Sequence, residues 1–200
     1  ATATVTVVDI TAPIITLNGD ASVTVLFGDT FNDEGATAAD NCSATVALTG
    51  TVDHTKVGSY TLSYMAVDGS KNESAAVTRT VNVVDTTIPV ITLTGNNPQI
   101  IDVNTPYVEL SATATDNYDG DITGNIVIDY SAVDVTAVGS YVVTYDVSDV
   151  SGNPAVQKTR TVFVLEHGKP WAEDDTYEVA KNSSNNRFKI IENDSYGIDG

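Results

Sequence analysis

The 200-residue sequence predicts an all-β chain, built as tandem antiparallel β-sandwiches. Three observations predict it: the chain repeats itself, its apolar residues alternate, and turn signals recur at short spacing. Thr78-Arg79-Thr80-Val81-Asn82-Val83-Val84-Asp85, followed by Pro89 and Gly95, restates Asp9, Pro13 and Gly19 in the same order, 76 residues on. Thr159-Arg160-Thr161-Val162 restates Thr78-Arg79-Thr80-Val81 a further 81 residues on. A fixed period of this length marks an array of small domains. The repeat divides the chain into residues 1–10, the last strand of a preceding repeat; repeat one, 11–85; repeat two, 86–166; and a final segment, 167–200.

Each element follows from local chemistry. Ser22–Phe27, Tyr60–Met65 and Tyr141–Val147 alternate with period two and are rich in valine, threonine and tyrosine, which read as strands. Asn18-Gly19, Gly28-Asp29, Asp68-Gly69 and Ser151-Gly152-Asn153 read as turns. No segment carries a helical stripe. Val57-Gly58-Ser59-Tyr60 and Val138-Gly139-Ser140-Tyr141 share a glycine followed two residues later by a tyrosine, with Leu62 and Val143 two further on. That is the form of a tyrosine corner at the start of strand F of an immunoglobulin-like sandwich. The fold class is therefore tandem immunoglobulin-like antiparallel β-sandwiches. Tyr64 and Tyr145 are expected to be structural.

Twenty-seven acidic residues against nine basic ones leave a net charge of −18. No basic stripe exists to neutralise phosphates, which argues against nucleic acid. Solubility, adaptation to salt, and bound divalent cations remain as readings of the acidity. No apolar run is long enough to span a membrane, so this segment is not expected to insert into one. Cys42 is the single cysteine and forms no disulfide within the chain. It is expected to be a small, partly buried side chain.

Thr11–Asp85 and Thr86–Glu166 resemble bacterial immunoglobulin-like surface-protein repeats of the hyalin-repeat type. The resemblance rests on Asp-x-x-x-Pro-x-Ile-x-Leu-x-Gly at the start of each repeat, Gly/Ser-Ala-Thr-Ala-x-Asp-Asn in the middle, Gly-Ser-Tyr-x-x-x-Tyr after it, and Asp-x-x-x-Asn before the last strand. Ala172–Val179 and Ile190–Ser195 are similar to the opening of bacterial cadherin-like repeats, placed after a linker at His167–Trp171. The resemblance implies an extracellular or bacterial cell-surface location. The neighbouring repeats of the same chain would be the immediate partners, and a surface glycan or protein receptor would be met through other domains.

One constellation has the chemistry of a metal site. Asp116-Asn117-Tyr118-Asp119-Gly120-Asp121 packs three carboxylates and an amide into six residues, and calcium takes six to eight such oxygens. In an immunoglobulin-like sandwich this B–C loop and the F–G turn at Asp149–Asn153 face the incoming linker, which carries Asp85. Asp85, Asp116, Asp119, Asp121 and Asp149 are thus the expected calcium ligands. Asp116, Asp119 and Asp121 are expected to dominate any calcium effect, and Asp40 to matter little. Repeat one keeps Asp9, Asp40, Asp68 and Asn72 but reads Cys42-Ser43-Ala44 after Asn41, so its site is expected to be weaker or empty. Asp33, Glu34 and Asp102 read as solvated charges. His54 and His167 read as surface residues, and Trp171 as linker packing.

No nucleophile–base pair or paired acids stand out, so no enzyme is expected. The leading reading is a non-catalytic spacer or stalk of a large surface or secreted adhesin, stiffened by calcium at domain junctions. The alternative is an accessory carbohydrate-binding module beside a secreted polysaccharide-degrading enzyme. That alternative needs an aromatic platform, and 7% of the residues are aromatic.

Overall fold

A computed structural model describes residues 2–166. The expected linker and cadherin-like opening at 167–200 lie outside the described residues. The chain divides into two units, Ala1–Thr87 and Ile88–Gly200.

In the first unit β1 (Ile14–Leu17) pairs antiparallel with β3 (Ala36–Ala39) to form a two-stranded sheet. The facing sheet has four strands in the order β2 (Ser22–Leu26), β6 (Val77–Val84), β5 (Gly58–Asp68), β4 (Ala44–Thr49). The second unit repeats this plan. β7 (Val90–Leu93), β9 (Ala112–Asp116) and β10 (Gly120–Asp121) make the smaller sheet. β8 (Gln99–Asp102), β13 (Lys158–Leu165), β12 (Gly139–Asp146) and β11 (Val127–Asp129) make the larger one. Both units are immunoglobulin-like β-sandwiches.

One feature of the sheets differs from the expected all-antiparallel pattern. β2 runs parallel to β6, and β8 runs parallel to β13. The cause is a strand that changes sheets. After β1 the chain turns at Gly19, with φ of 75°, and joins the opposite sheet as β2. Gly95, with φ of 74°, plays the same part between β7 and β8. A side chain there would be strained by the left-handed backbone, and at Gly95 it would also meet Leu110 at 2.7 Å.

The period-two pattern places the core. In β5, Leu62, Tyr64, Ala66 and Asp68 turn inward while their neighbours face out. Ile15, Val25 and Val81 complete the first core, with Leu62, Tyr64 and Ala66. Ile91, Ala112, Ala114, Ile122, Val143, Tyr145, Val147 and Val162 form the second. The tyrosine corner is present twice. Tyr60 Oη donates to the Lys56 carbonyl at 2.9 Å, and Tyr141 Oη donates to the Ala137 carbonyl at 2.8 Å. Residues 2–13 form no strand, and Val5, Val7, Val8 and Ile10 are exposed.

Candidate metal centre and the buried arginines

Asp9 precedes β1, Asp40 follows β3 and Asp68 ends β5, so the fold brings all three to one end of the first unit. One carboxylate oxygen from each lies within 4.8 Å of the others. Local donors hold them in place. Asp68 Oδ1 accepts from the Ser70 and Asn72 amides at 2.8 Å each, and its Oδ2 accepts from Asn72 Nδ2 at 2.7 Å. Burial opposes ionisation of Asp68, but the donors of Asn72 and Ser70 prevail and hold its carboxyl below the usual range. Asp9 Oδ1 accepts from the Thr11 amide at 2.9 Å, the main reason that its carboxyl is also held low. Asn72 Nδ2 reaches the Asp9 carbonyl at 3.2 Å and ties the lead-in segment to the turn after β5. Asp9 Oδ2 and Asp40 Oδ1 remain, buried and without a hydrogen-bond donor. An ionised oxygen in that state is unfavourable unless a cation or proton meets it.

The second unit holds the repeat equivalents of two of these acids. Asp116 and Asp149 approach within 4.8 Å. Asp116 Oδ1 accepts from the Tyr118 and Asp119 amides at 2.8 and 3.0 Å, and its Oδ2 is buried with no donor. Asp149 accepts from the Asn153 amide and Asn153 Nδ2 at 2.7 Å each. Burial opposes its ionisation, and Asn153 and the turn amides override it. Asp85 follows β6 and accepts from the Thr87 amide at 3.0 Å, just as Asp9 accepts from Thr11. The other two expected ligands are engaged elsewhere. Asp119 Oδ2 accepts from the Val150 amide at 2.7 Å and ties the loop after β9 to the turn after β12. Asp121 Oδ1 accepts from the Thr123 amide at 2.9 Å, at the start of the 3-10 turn Thr123–Asn125. The charge-rich sequence of that loop is therefore partly turn chemistry.

A second polar feature lies deep in each sandwich. Arg79 of β6 is 1% exposed and Arg160 of β13 is 0% exposed. Arg79 donates to the Asp33 carboxylate, to the Asn18 carbonyl, and to the Asp20 carbonyl at 2.9 Å. Tyr64 Oη donates to Asp33 at 2.6 Å, beside the guanidinium. Arg160 donates to Tyr145 Oη at 2.8 Å, to the Asn96 and Thr94 carbonyls at 2.6 Å each, and to the Ser111 carbonyl at 3.0 Å. Tyr145 and Tyr107 both donate to Glu109. Asp33 and Glu109 occupy equivalent places, 76 residues apart. A last-strand arginine thus braces the sheet-switching first strand against a tyrosine and a carboxylate in both units.

These features accompany a clear family match. The description "Bacterial surface protein, Ig-like domain" matches residues 15–83 and 91–164, one span in each sandwich. The chain belongs to the bacterial surface protein Ig-like domain family. The chain is 34% identical over 189 residues to hyalin of Strongylocentrotus purpuratus, an alignment covering 83% of this chain and 15% of hyalin. It is 27% identical over 198 residues to the serine-rich adhesin for platelets of Staphylococcus aureus strain N315, covering 88% of this chain and 8% of the adhesin. The chain therefore spans a small part of either relative. Among solved structures, a lipoprotein from Bacteroides thetaiotaomicron aligns at 18% identity with a TM-score of 0.34, over 73% of this chain and 79% of that one.

Three expectations need correction in the Ig-like repeats. Asp33 is not a solvated charge but the partner of a buried arginine. It lies 46 residues from Arg79, and nothing local announces the pairing. The repeated Thr-Arg-Thr of the last strand was the available signal, since an arginine at an inward position of a central strand must find acceptors. Cys42 is exposed rather than partly buried; it lies between β3 and β4, outside any strand, with its amide donating to Asp40 Oδ2 at 3.3 Å. Asp9 first, then burial and the other acids nearby, push its thiol up, which disfavours the reactive thiolate. His54 is half-buried, with a buried Nδ1 and with its carbonyl accepting from the Gly28 amide at 2.9 Å.

The braces set a pH window. Burial works against the Asp33 and Glu109 charges, but Tyr64 and Arg79, and Tyr107, Tyr145 and Arg160, hold their carboxyls below the ordinary 3.8 and 4.5. Their contribution is present above those ordinary values and is lost as pH falls through the lower folded ones. Burial, then Asp33, pushes Tyr64 up from 10.0 to about 12. Its contribution is present below 10.0 and is lost as pH rises through about 12. Urea midpoints should therefore be flat from about pH 5 to 9 and fall on both sides. A maximum confined to a single unit of pH inside that range would contradict the assignment.

Proposed function

We propose that this segment is a non-catalytic spacer or stalk of a large extracellular or cell-surface bacterial adhesin, and that calcium stiffens it at repeat junctions. The observation that carries the metal reading is the gathering of Asp9, Asp40 and Asp68 within 4.8 Å in the first unit. Two of the oxygens there are buried and lack donors. Calcium is the cation suited to such a site, because it is hard and takes carboxylate, amide and carbonyl oxygens at variable number. Asp85, Asp116 and Asp149 are the repeat equivalents of those three acids, with the same backbone donors on Asp85 and Asp149 as on Asp9 and Asp68. They are the proposed direct ligands. Asp119 serves the site by anchoring the turn that carries Asp149, and Asp121 contributes charge from the exposed side of the loop. An ion bound to the linker acid and to two loops of one sandwich would restrict swinging of the linker. That is the property a spacer needs. The adhesin relative supports the surface reading.

Calorimetry with and without calcium tests this. A site filled at about a hundred times its dissociation constant adds roughly 2.7 kcal/mol. Asp116→Asn or Asp149→Asn should abolish most of the rise at the second repeat, Asp119→Asn part of it, and Asp121→Asn little. Chelator should leave the β spectrum intact while small-angle scattering broadens the spread of shapes. A melt and a scattering curve both indifferent to millimolar calcium would reduce the acids to solvated turns.

A further inference from the structure

The two repeats differ beside their shared arginine brace. In the second repeat, Tyr130 follows β11 and its ring lies against Tyr107, with centroids 5.7 Å apart. Thr49 pairs with Ser63 and Asp129 pairs with Thr144. Ser63 and Thr144 are repeat equivalents, so Gly50 occupies the place of Tyr130, and Phe31 occupies the place of Tyr107. The first repeat thus keeps one ring and has no side chain where the other would lie. A cavity of about 310 Å³ stands there, lined by Phe31, Leu48, Gly50, Val52, His54 and Leu62 and, on its polar side, by Asp33 of the arginine brace. No residue of this chain can be grown into it from position 50. Gly50 has φ of 98°, and a Cβ would meet the Thr61 carbonyl oxygen at 2.3 Å.

The cavity adjoins a free sheet edge. Among the described residues, β4 is the outer strand of its sheet and pairs only with β5. Its six residues, Ala44–Thr49, include no charge and no proline, the usual guards of an exposed edge. Val46 and Leu48 are 38% and 50% exposed, although their register beside Ala66 and Tyr64 turns them toward the inner side. The matching edge of the second repeat is shorter, three residues ending on Asp129, and the tyrosine pair stands beside it.

We propose that the first repeat binds an extended, uncharged peptide segment, which adds to the free edge of β4 and seats one aromatic side chain in the Phe31–Gly50–Leu62 cavity. Main-chain hydrogen bonds would supply affinity and the cavity specificity, as in other strand additions. Tyr130 of the second repeat shows on this same scaffold the kind of group that lies there. The inference is independent of the calcium reading, since none of the gathered acids lines the cavity.

The test uses the whole chain, labelled with nitrogen-15, and the probe Ac-Ser-Thr-Val-Tyr-Val-Thr-Ser-NH2. Saturable amide shifts are expected at Ala44–Thr51, Phe31 and His54. The same peptide with Ala in place of Tyr should bind at least about tenfold more weakly. Leu48→Trp, which fills the cavity from its half-exposed rim, should lose the tyrosine preference while its other amide shifts show an intact fold. Equal binding of the two peptides, shifts centred elsewhere, binding unaltered by Leu48→Trp, or no saturable binding would overturn the proposal. So would binding of free p-cresol as tight as that of the peptide, or occupation of the edge by a second copy in a concentration-dependent dimer.

Discussion

Arg79→Leu lowers the stability of the first repeat by about 3–5 kcal/mol, the usual range when one member of a buried charged pair is removed. The substitution strips donors from the Asn18 and Asp20 carbonyls and from Asp33 in one step. These acceptors lie where the first strand passes from one sheet to the other, so the loss loosens β1 and β2 together. Arg160→Leu destabilises the second repeat in the same direction, freeing the Tyr145 hydroxyl and the Thr94, Asn96 and Ser111 carbonyls without breaking a direct ion pair. Arg79→Lys recovers only a part, because an ammonium cannot present the planar fork of donors that several fixed acceptors require. Urea unfolding followed by repeat-specific amide signals reads each unit separately. A loss below about 1 kcal/mol, the range of an exposed pair, would show that water already reaches the guanidinium.

The second large effect is in the apolar core. Leu62 is 3% exposed and occupies the inward position two residues after the tyrosine corner. Leu62→Ala costs about 2–5 kcal/mol, combining lost transfer energy with an incompletely collapsed cavity. Val143→Ala, at the matching position and 0% exposed, costs less because fewer methyl groups are removed. Leu26→Ala is the control: that side chain is 47% exposed and its loss changes stability by about 0.5 kcal/mol or less. Thermal and urea melts of the three variants give the ranking. An equal effect at Leu26 and Leu62 would mean that the alternation in β5 does not define the core.

Asn72 bonds both Asp68 and the Asp9 carbonyl, so the turn after β5 and the incoming chain are already tied in the first unit. The metal proposal adds a reversible restraint to a connection that polar contacts have placed. Separating the two contributions requires the chelator experiment beside Asn72→Ala, whose effect on that tie is independent of calcium.

The sequence by itself determined the parts of this protein that depend on neighbours along the chain. Alternation in Ser22–Leu26 and Tyr60–Tyr64, the Asn18-Gly19 turn and the glycine–tyrosine spacing each specify a local conformation. Their order, stated twice, led to two immunoglobulin-like sandwiches. The tyrosine corners are legible because Tyr60 and Lys56 are four residues apart, as are Tyr141 and Ala137. The equivalence of Asp9 with Asp85, Asp40 with Asp116 and Asp68 with Asp149 was also readable from the repeat. What those acids meet was not. The partnership of Arg79 with Asp33, the tie of Asp119 to the Val150 amide, and the cavity above Gly50 all depend on strand register and on which sheet a strand joins. Those are decided by packing between residues 30 to 60 positions apart, as with Tyr64–Asp33 and Arg79–Asp20. Side-chain reach and burial act only after the tertiary structure has set such distances, so no local pattern encodes them.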